Sequence, residues 1–412
     1  MVVALAVCLL TGSYSSFERR LVEGVYDDVT QAAFYVLPDP LPAGKPGELI
    51  RSERLPGALA GSVAWRVLYH STDVYGHDIA VSGMVFAPDG PAPAGGRTVV
   101  SWGHPTTGAA AACAPSLNVE SSGLDGLLGE AIDPFGVEGL AALLRAGYVV
   151  AATDYPGMGA AGLGAYLVGT SEGNSILDAA RAAVALPGAG ASERLLLWGH
   201  SQGGHAALFA AQDAATYAPE LTLLGVAVAA PATQLGALLK ADIGDVSGVS
   251  LGAYAFASYA SVYGASTPGA TLSAILTPAG VAATPRMNAL CLSDTEALHD
   301  IAGPLVGKYL SGDPTVVEPW ASLLAANTPG PSAAGAGKPV PVPLFVAQGD
   351  TDTLVRPADT AAFAQSECAA GARVTYLALP NTTHGLIALR AAPTVLAWFG
   401  RLDAGEPVMS TC

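Results

Sequence analysis

The chain has 412 residues, of which 51% are hydrophobic and 13% charged, with 49 glycines and a formal net charge of −16. That apolar content supports a substantial buried core and excludes global disorder, and the length suits one domain carrying a large insertion. The acidic balance and the absence of basic clusters exclude a nucleic-acid partner or an anionic-lipid face.

In chain order, Met1-VVALAVCLL comes first and reads as the apolar part of a secretion leader, over residues 1–12. It has no basic n-region and no clear A-x-A site, and the alternative is a buried N-terminal segment. About nine apolar residues are too few to span a bilayer, and no later run is long enough for a membrane helix. Residues 36–59 are rich in proline and glycine and read as an extended wrap before the core. Apolar or β-branched runs then recur at 64–69, 78–86, 97–102, 147–153, 193–198, 221–229, 342–348 and 373–379. The short Asp73–His77 turn between the first two predicts an antiparallel hairpin at the sheet edge. Helix-like stretches at 136–146, 174–186 and 203–216 separate later strands. This alternation predicts an α/β fold with a mostly parallel sheet and helices on both faces.

Between residues 231 and 339 the strand rhythm stops, and the segment is rich in Ala, Gly, Ser and Pro. It reads as a helical cap inserted late in an α/β core formed by 13–230 and 340–412, with 329–343 as a flexible return. Within it, Phe256, Tyr259 and Tyr263 fall at i, i+3 and i+7, one face of a helix. That face either packs the cap onto the core or lines an acyl pocket, since ligand pockets are mostly apolar.

The five cysteines are Cys8, Cys113, Cys291, Cys368 and Cys412. They form no CxxC pair and no zinc-spaced cluster, so neither a metal nor any other cofactor is expected. With Cys8 assigned to the leader, four remain, which fits two disulfides in an exported protein. Spacing alone does not give their connectivity.

The chemistry-bearing motif is Gly199-His200-Ser201-Gln202-Gly203, preceded by Leu195-Leu196-Leu197-Trp198 and followed by a helix-like run. A nucleophilic serine on a sharp strand-to-helix turn needs tiny neighbours two residues to either side, and Gly199 and Gly203 supply them. The helix start aims the Gln202 amide at a developing oxyanion. On this scaffold the acid and then the base follow the serine. Of the seven histidines only His205, His299 and His384 do so. His205 lies within the elbow helix, His299 lies in the cap, and His384 follows the strand-like RVTYLALP, where a base belongs. His200 is assigned to packing. The acid comes from Gly349-Asp350-Thr351-Asp352, and spacing favours Asp352 while Asp350 caps the turn. Asp154 precedes the serine and is assigned to shaping a loop. The second oxyanion donor is expected in TVVSWGHPTTG, at Thr106, with Thr107 as the fallback.

Taken together, PLPAGKPGELIRSE, SGMVFAP, VVSWGHPTTGAAAACAPS, AATDYPGMG, YLVGTSEG, WGHSQGGHAA, QGDTDTLVRP and NTTHG resemble, in this order, the secretory lipases related to fungal lipase A, in a bacterial branch. The resemblance covers most of the chain. It implies an α/β-hydrolase fold with a helical lid, export, and hydrolysis of carboxylic esters including acylglycerols. It places the nucleophile on Ser201, the acid on Asp352 and the base on His384. It also supports pairing Cys113 with Cys291 and Cys368 with Cys412. One departure is Pro105, which stands where the family's loop has glycine and lacks an N–H, so the donor falls to Thr106. The leading expectation is a serine esterase or lipase acting through an acyl-enzyme on medium-chain or acylglycerol esters, secreted or in the cell envelope, with no stable protein partner. An acyltransferase, a peptidase or a non-catalytic binding module of the same fold are the alternatives.

Overall fold

The computed structural model describes residues 33–56, 58–117, 134–331 and 337–412. The proposed leader, Cys8 and residues 332–336 of the return segment lie outside that set.

Among the described residues nine strands form one sheet in the order β1-β2-β3-β5-β4-β6-β7-β8-β9. They are β1 (Leu49–Arg54), β2 (Ser62–Thr72), β3 (Asp78–Pro88), β4 (Arg97–Gly103), β5 (Val149–Thr153), β6 (Ala191–His200), β7 (Thr222–Ala229), β8 (Leu344–Gly349) and β9 (Val374–Leu379). The first three strands run antiparallel, β3 also meets β5 antiparallel, and every pairing from β5 to β9 is parallel. The parallel strands explain why the sequence showed unbroken apolar runs there. In β4, β5 and β8 and the later halves of β6 and β7 both faces are covered, so neither parity of side chain meets water there. In β6, Leu195 and Leu197 pack on one face while Leu196 and Trp198 pack on the other. The β2–β3 hairpin is present as expected. It is not the edge, however, because β1 lies outside it; the polar sequence LIRSER hid that strand within the wrap.

Helices α1 (Leu140–Arg145), α2 (Gly169–Ala185) and α3 (Gln202–Tyr217) come next among the described residues. The segment 136–146 begins later as a helix than its apolar pattern suggests, because Gly139 takes φ 88° just before Leu140. Helix α2 lies so close to α3 that a Cβ on Gly169 would sit 2.3 Å from the Phe209 ring. Between β7 and β8 run α4 (Leu235–Asp242), α5 (Val246–Tyr263), α6 (Pro278–Asn288), α7 (Thr295–Ala302) and α8 (Trp320–Ala326), with no strand among the described residues there. Asp245 caps α5 by accepting from the Gly248 amide at 2.8 Å, and Thr277 caps α6 with Pro278 at its first turn. The chain closes with α9 (Pro357–Ala369) and α10 (Ile387–Asp403). One core joins the sheet to α2, α3 and α9; the other joins it to α1, α10 and the inserted helices.

Among the described residues two disulfides are formed, Cys113–Cys291 and Cys368–Cys412. The first bridges the loop after β4 to the inserted helices, and the second holds the C-terminus to α9. Among the described residues no helix is long and apolar enough to cross a membrane.

Candidate active site

The end of β6 and the start of α3 set Ser201 at φ 56°, ψ −115°, a strained conformation for a residue with a side chain. Sterics enforce it. A Cβ on Gly199 would lie 2.1 Å from the Gly203 carbonyl oxygen, and one on Gly203 would lie 1.8 Å from that of Gly103. Only glycine lets the turn pass this tightly between β4 and β6. The Ser201 amide donates to the Ala229 carbonyl at 2.9 Å, so the turn is also tied to β7.

His384 Nε2 lies 2.9 Å from Ser201 Oγ, and its Nδ1 lies 2.8 Å from Asp352 Oδ2. Since Nδ1 faces a carboxylate, it carries the hydrogen, which leaves Nε2 free to accept from the hydroxyl. Asp352 is buried and fixed: its Oδ1 accepts from the Leu354 and Val355 amides, both at 2.9 Å. Gln348 Nε2 donates to its Oδ2 at 3.3 Å. Asp350, the other acid in the loop, is exposed. Burial lowers the His384 pKa from its ordinary value, the Asp352 bond raises it, and the nearby His200 charge lowers it again, for a net decrease.

The other expected residues separate. Thr106 and Gln202 line the same cavity as Ser201. Neither of their backbone amides meets an acceptor among the described residues. The Thr106 hydroxyl, in contrast, is engaged with Tyr166 Oη at 2.9 Å. Thr107 turns away, donating to the Cys113 carbonyl at 2.8 Å. His205 is buried between Glu172 and the Asn327 carbonyl, and His299 is exposed. Asp154 shapes its loop, accepting from the Ser82 hydroxyl at 2.6 Å and the Ser116 amide at 2.9 Å. His200 does more than pack. Its ring lies 5.0 Å from that of His384, and its two nitrogens bond Glu138 and the His384 carbonyl.

A cavity of about 280 Å³ opens above Ser201, walled by Leu235, Leu238, Leu251, Phe256 and Tyr259 from the inserted helices. Phe256 and Tyr259 therefore face the site, although both are also buried against Trp320. Tyr263 does not line the cavity; its hydroxyl pairs with the Asn327 side chain. Two carboxyl groups that sequence reasoning missed, Glu138 and Asp242, also border the cavity. Both are lone acids outside any motif, and only their three-dimensional placement identifies them. No group of three or more His, Cys, Asp or Glu side chains among the described residues could hold a metal ion.

A family model described as secretory lipase matches residues 136–411, about two thirds of the chain. The chain belongs to the secretory lipase family. At 26% identity it is similar to a probable inactive lipase of Mycobacterium tuberculosis, over 91% of this chain and 82% of the relative. Lipase A of Moesziomyces aphidis is likewise 26% identical, over 92% and 81% of the two chains. The closed state of Candida antarctica lipase A has the same fold, with a TM-score of 0.73 at 22% identity over 92% of this chain and 87% of that one. A rice cell wall degrading esterase from Xanthomonas oryzae superimposes with a TM-score of 0.66 at 20% identity, over 88% of this chain and all of that one. The fold is thus the α/β-hydrolase arrangement of lipases and esterases, and the family is one of ester hydrolases.

Proposed function

We propose that this chain cleaves carboxylic esters through an acyl-enzyme, preferring medium-chain or acylglycerol substrates. The observation that carries the reading is the continuous Ser201–His384–Asp352 hydrogen-bond chain at the floor of an apolar cavity. Ser201 Oγ attacks the ester carbonyl while His384 Nε2 takes its proton, and Asp352 stabilises the imidazolium that forms. The tetrahedral oxyanion is received by the Gln202 and Thr106 amides, at the positive end of α3. His384 then returns the proton to the leaving alcohol, and water repeats the sequence on the acyl-enzyme. The depressed pKa of the base keeps it neutral, so kcat/KM should hold at pH values below the ordinary histidine pKa of about 6.5.

In this reading residues 231–339 act as the cap, and the cavity between it and the core receives the acyl chain. At about 280 Å³ the cavity is near the small end of ligand pockets, which suits one acyl chain. Export is part of the proposal, supported by the two disulfides and the family. A second reading, a non-catalytic module, is raised by the relative named as probably inactive. A fluorophosphonate probe decides between the two. Covalent labelling at Ser201, absent in Ser201→Ala, supports the hydrolase, and a folded wild-type protein that resists labelling would overturn it.

A further inference from the structure

Tyr166 lies in the loop between β5 and α2 and reaches the proposed oxyanion loop with its hydroxyl. Its position is set from several sides. Its amide donates to Ser258 Oγ on α5 at 3.2 Å, and its ring meets the Tyr254 ring edge-on at 5.8 Å. Leu167, the next residue, stands at φ 57°, a conformation that needs outside support. Its amide donates to the buried Glu172 carboxyl at 2.9 Å, and its carbonyl accepts from Tyr259 Oη at 2.9 Å. The loop bearing Thr106 is fixed as well, since Tyr155 Oη donates to the His104 carbonyl at 3.0 Å. Between these two supported segments, Tyr166 Oη and Thr106 Oγ1 lie 2.9 Å apart, each the other's one hydrogen-bonding partner among the described residues.

Two hydroxyls in one contact hold two hydrogens, and the contact uses one of them. Were Thr106 the donor, the spare hydrogen would sit on the phenol of a residue only 6% exposed, where an unmade bond is costly. With Tyr166 as donor, the spare hydrogen sits on Thr106, which is half-buried and lines the cavity with Ser201 and Gln202. A phenol is also the more acidic hydroxyl and therefore the stronger donor. A hydroxyl that accepts such a bond is polarised into a better donor itself. Covalent structure supplies the remaining constraint. The Thr106 hydroxyl is carried one carbon beyond the Cα that bears the proposed amide donor, so one oxygen can receive from both.

We propose that the Thr106 hydroxyl is a third donor to the oxyanion, after the Gln202 and Thr106 amides, and that the Tyr166 phenol orients it. Tyr166 donates to Thr106 Oγ1, and the hydrogen left on Thr106 points at the ester carbonyl oxygen as charge builds there. Thr106 is then a catalytic residue through its side chain, and Tyr166 is a positioning residue. The proposal rests on the ester-hydrolase reading of Ser201.

The test uses the full chain and measures kcat and KM for p-nitrophenyl butyrate. Alongside these it measures affinity for an alkyl trifluoromethyl ketone, whose adduct with Ser201 carries the same oxyanion. Thr106→Val removes the hydroxyl and keeps the amide. It should lower kcat by about 10²-fold with little change in KM, and weaken the ketone by the same factor. Tyr166→Phe should lower kcat by about 10-fold, because Thr106 keeps its hydrogen but loses the bond that turns it. Thermal melts separate chemistry from packing. Thr106→Val leaves the Tyr166 hydroxyl without a partner and should lower the melting temperature. The double variant removes both hydroxyls and should bring the melting temperature back toward wild type, while its kcat stays as low as that of Thr106→Val. A wild-type kcat in Thr106→Val, a loss of kcat without the matching loss of ketone affinity, or a kcat that recovers with stability in the double variant would overturn the third donor. Should Thr106→Val not fold, Tyr166→Phe decides: equal losses in kcat and ketone affinity support the proposal, and any other result overturns it. Ser201→Ala run in parallel separates the two ideas. If it keeps activity the ester-hydrolase reading falls, and if it is dead while Thr106→Val keeps a wild-type kcat only the third donor falls.

Discussion

On the sheet side of the cavity, position is enforced by contacts that leave no room for adjustment. Gly199, Gly203 and Gly103 pass within backbone contact of one another, and Asp352 receives two amides besides its histidine. On the opposite side the wall is aliphatic and aromatic, contributed by α4 and α5, and its surface has a shape rather than a set of fixed hydrogen bonds. The contrast separates two kinds of requirement. On the proposed function, the sheet side fixes where charge and protons go, through the hydrogen-bonded Ser201, His384 and Asp352. On the same reading, the helices between β7 and β8 would set how much apolar surface a substrate buries, a quantity that varies smoothly with side-chain size.

The largest expected effects therefore lie on the sheet side. Ser201→Ala and His384→Ala should each lower kcat by about 10⁴-fold or more, and the double variant should be little worse because the members act as a unit. Asp352→Asn should follow, while the exposed Asp350→Asn should keep nearly wild-type kcat/KM on p-nitrophenyl esters. Greater damage at Asp350 would break the account of the acid loop.

Next comes the inserted wall. Phe256 is buried against Tyr309 and Trp320 as well as facing the cavity, so Phe256→Ala should cost about 3–5 kcal/mol of stability in a urea melt. Each further buried methylene contributes about 0.8 kcal/mol, so wild type should prefer medium-chain esters to acetate. The vacated ring volume should shift that preference to longer chains. Tyr263→Phe, off the cavity, should leave chain selectivity unchanged. An unchanged chain-length profile in Phe256→Ala would reduce that helix face to packing alone.

The disulfides sharpen the comparison because Cys113–Cys291 joins the two sides. Leu292, next to Cys291, donates its amide to the Thr107 carbonyl at 2.8 Å, so the bridge holds the proposed oxyanion loop against the cavity wall. Replacing both cysteines with alanine should cost about 2–4 kcal/mol, and the same holds for Cys368–Cys412. Only loss of the first bridge should also lower kcat, as read in a paired assay at a temperature where both variants remain folded. Equal activity in the two variants would show that the loop keeps its place without the tether.

How much of this was readable in the sequence follows the same division. Strands write themselves as apolar or β-branched runs where they are buried, in antiparallel β2 and β3 as in the parallel strands, and the elbow writes itself as glycines at fixed offsets, so β2 to β9 and the Ser201 turn were legible. β1 was not, because an edge strand with exposed Ser52, Glu53 and Arg54 lacks a contiguous apolar run. The placement of His384 beside Ser201 was legible through chain order, and that of Asp352 beside His384 through its spacing after β8. His200 was read as packing because its bonds run to a loop carbonyl and to Glu138, which lies 62 residues upstream. The cavity wall was half legible: helical periodicity put Tyr263 on the face of Phe256 and Tyr259, but a seven-residue offset leaves a side chain two turns along the axis. There Tyr263 meets Asn327 rather than the cavity.

The smallest expected effect concerns Asp242, a carboxyl at the edge of the apolar wall. Burial, followed by repulsion from Asp245, raises its pKa from 3.8 to about 7, although Arg356 opposes the shift. A raised carboxyl is neutral below its pKa, so the cavity edge presents a neutral acid at mildly acidic pH and an anion above about 7. An acyl chain passing that edge pays no added desolvation in the first state and does in the second. KM for medium-chain esters should therefore rise as pH climbs through about 7, while KM for acetate esters, which do not reach that far, stays flat. Asp242→Asn should hold the medium-chain KM at its low-pH value throughout. Stability should move with the same proton. The folded state binds it more tightly than the unfolded chain, so its contribution is fully present below 3.8 and is lost as pH rises through about 7. Melting temperatures should accordingly decline less between mildly acidic and mildly alkaline pH in Asp242→Asn than in wild type. A medium-chain KM that responds to pH identically in both proteins would show that Asp242 stays clear of the acyl chain.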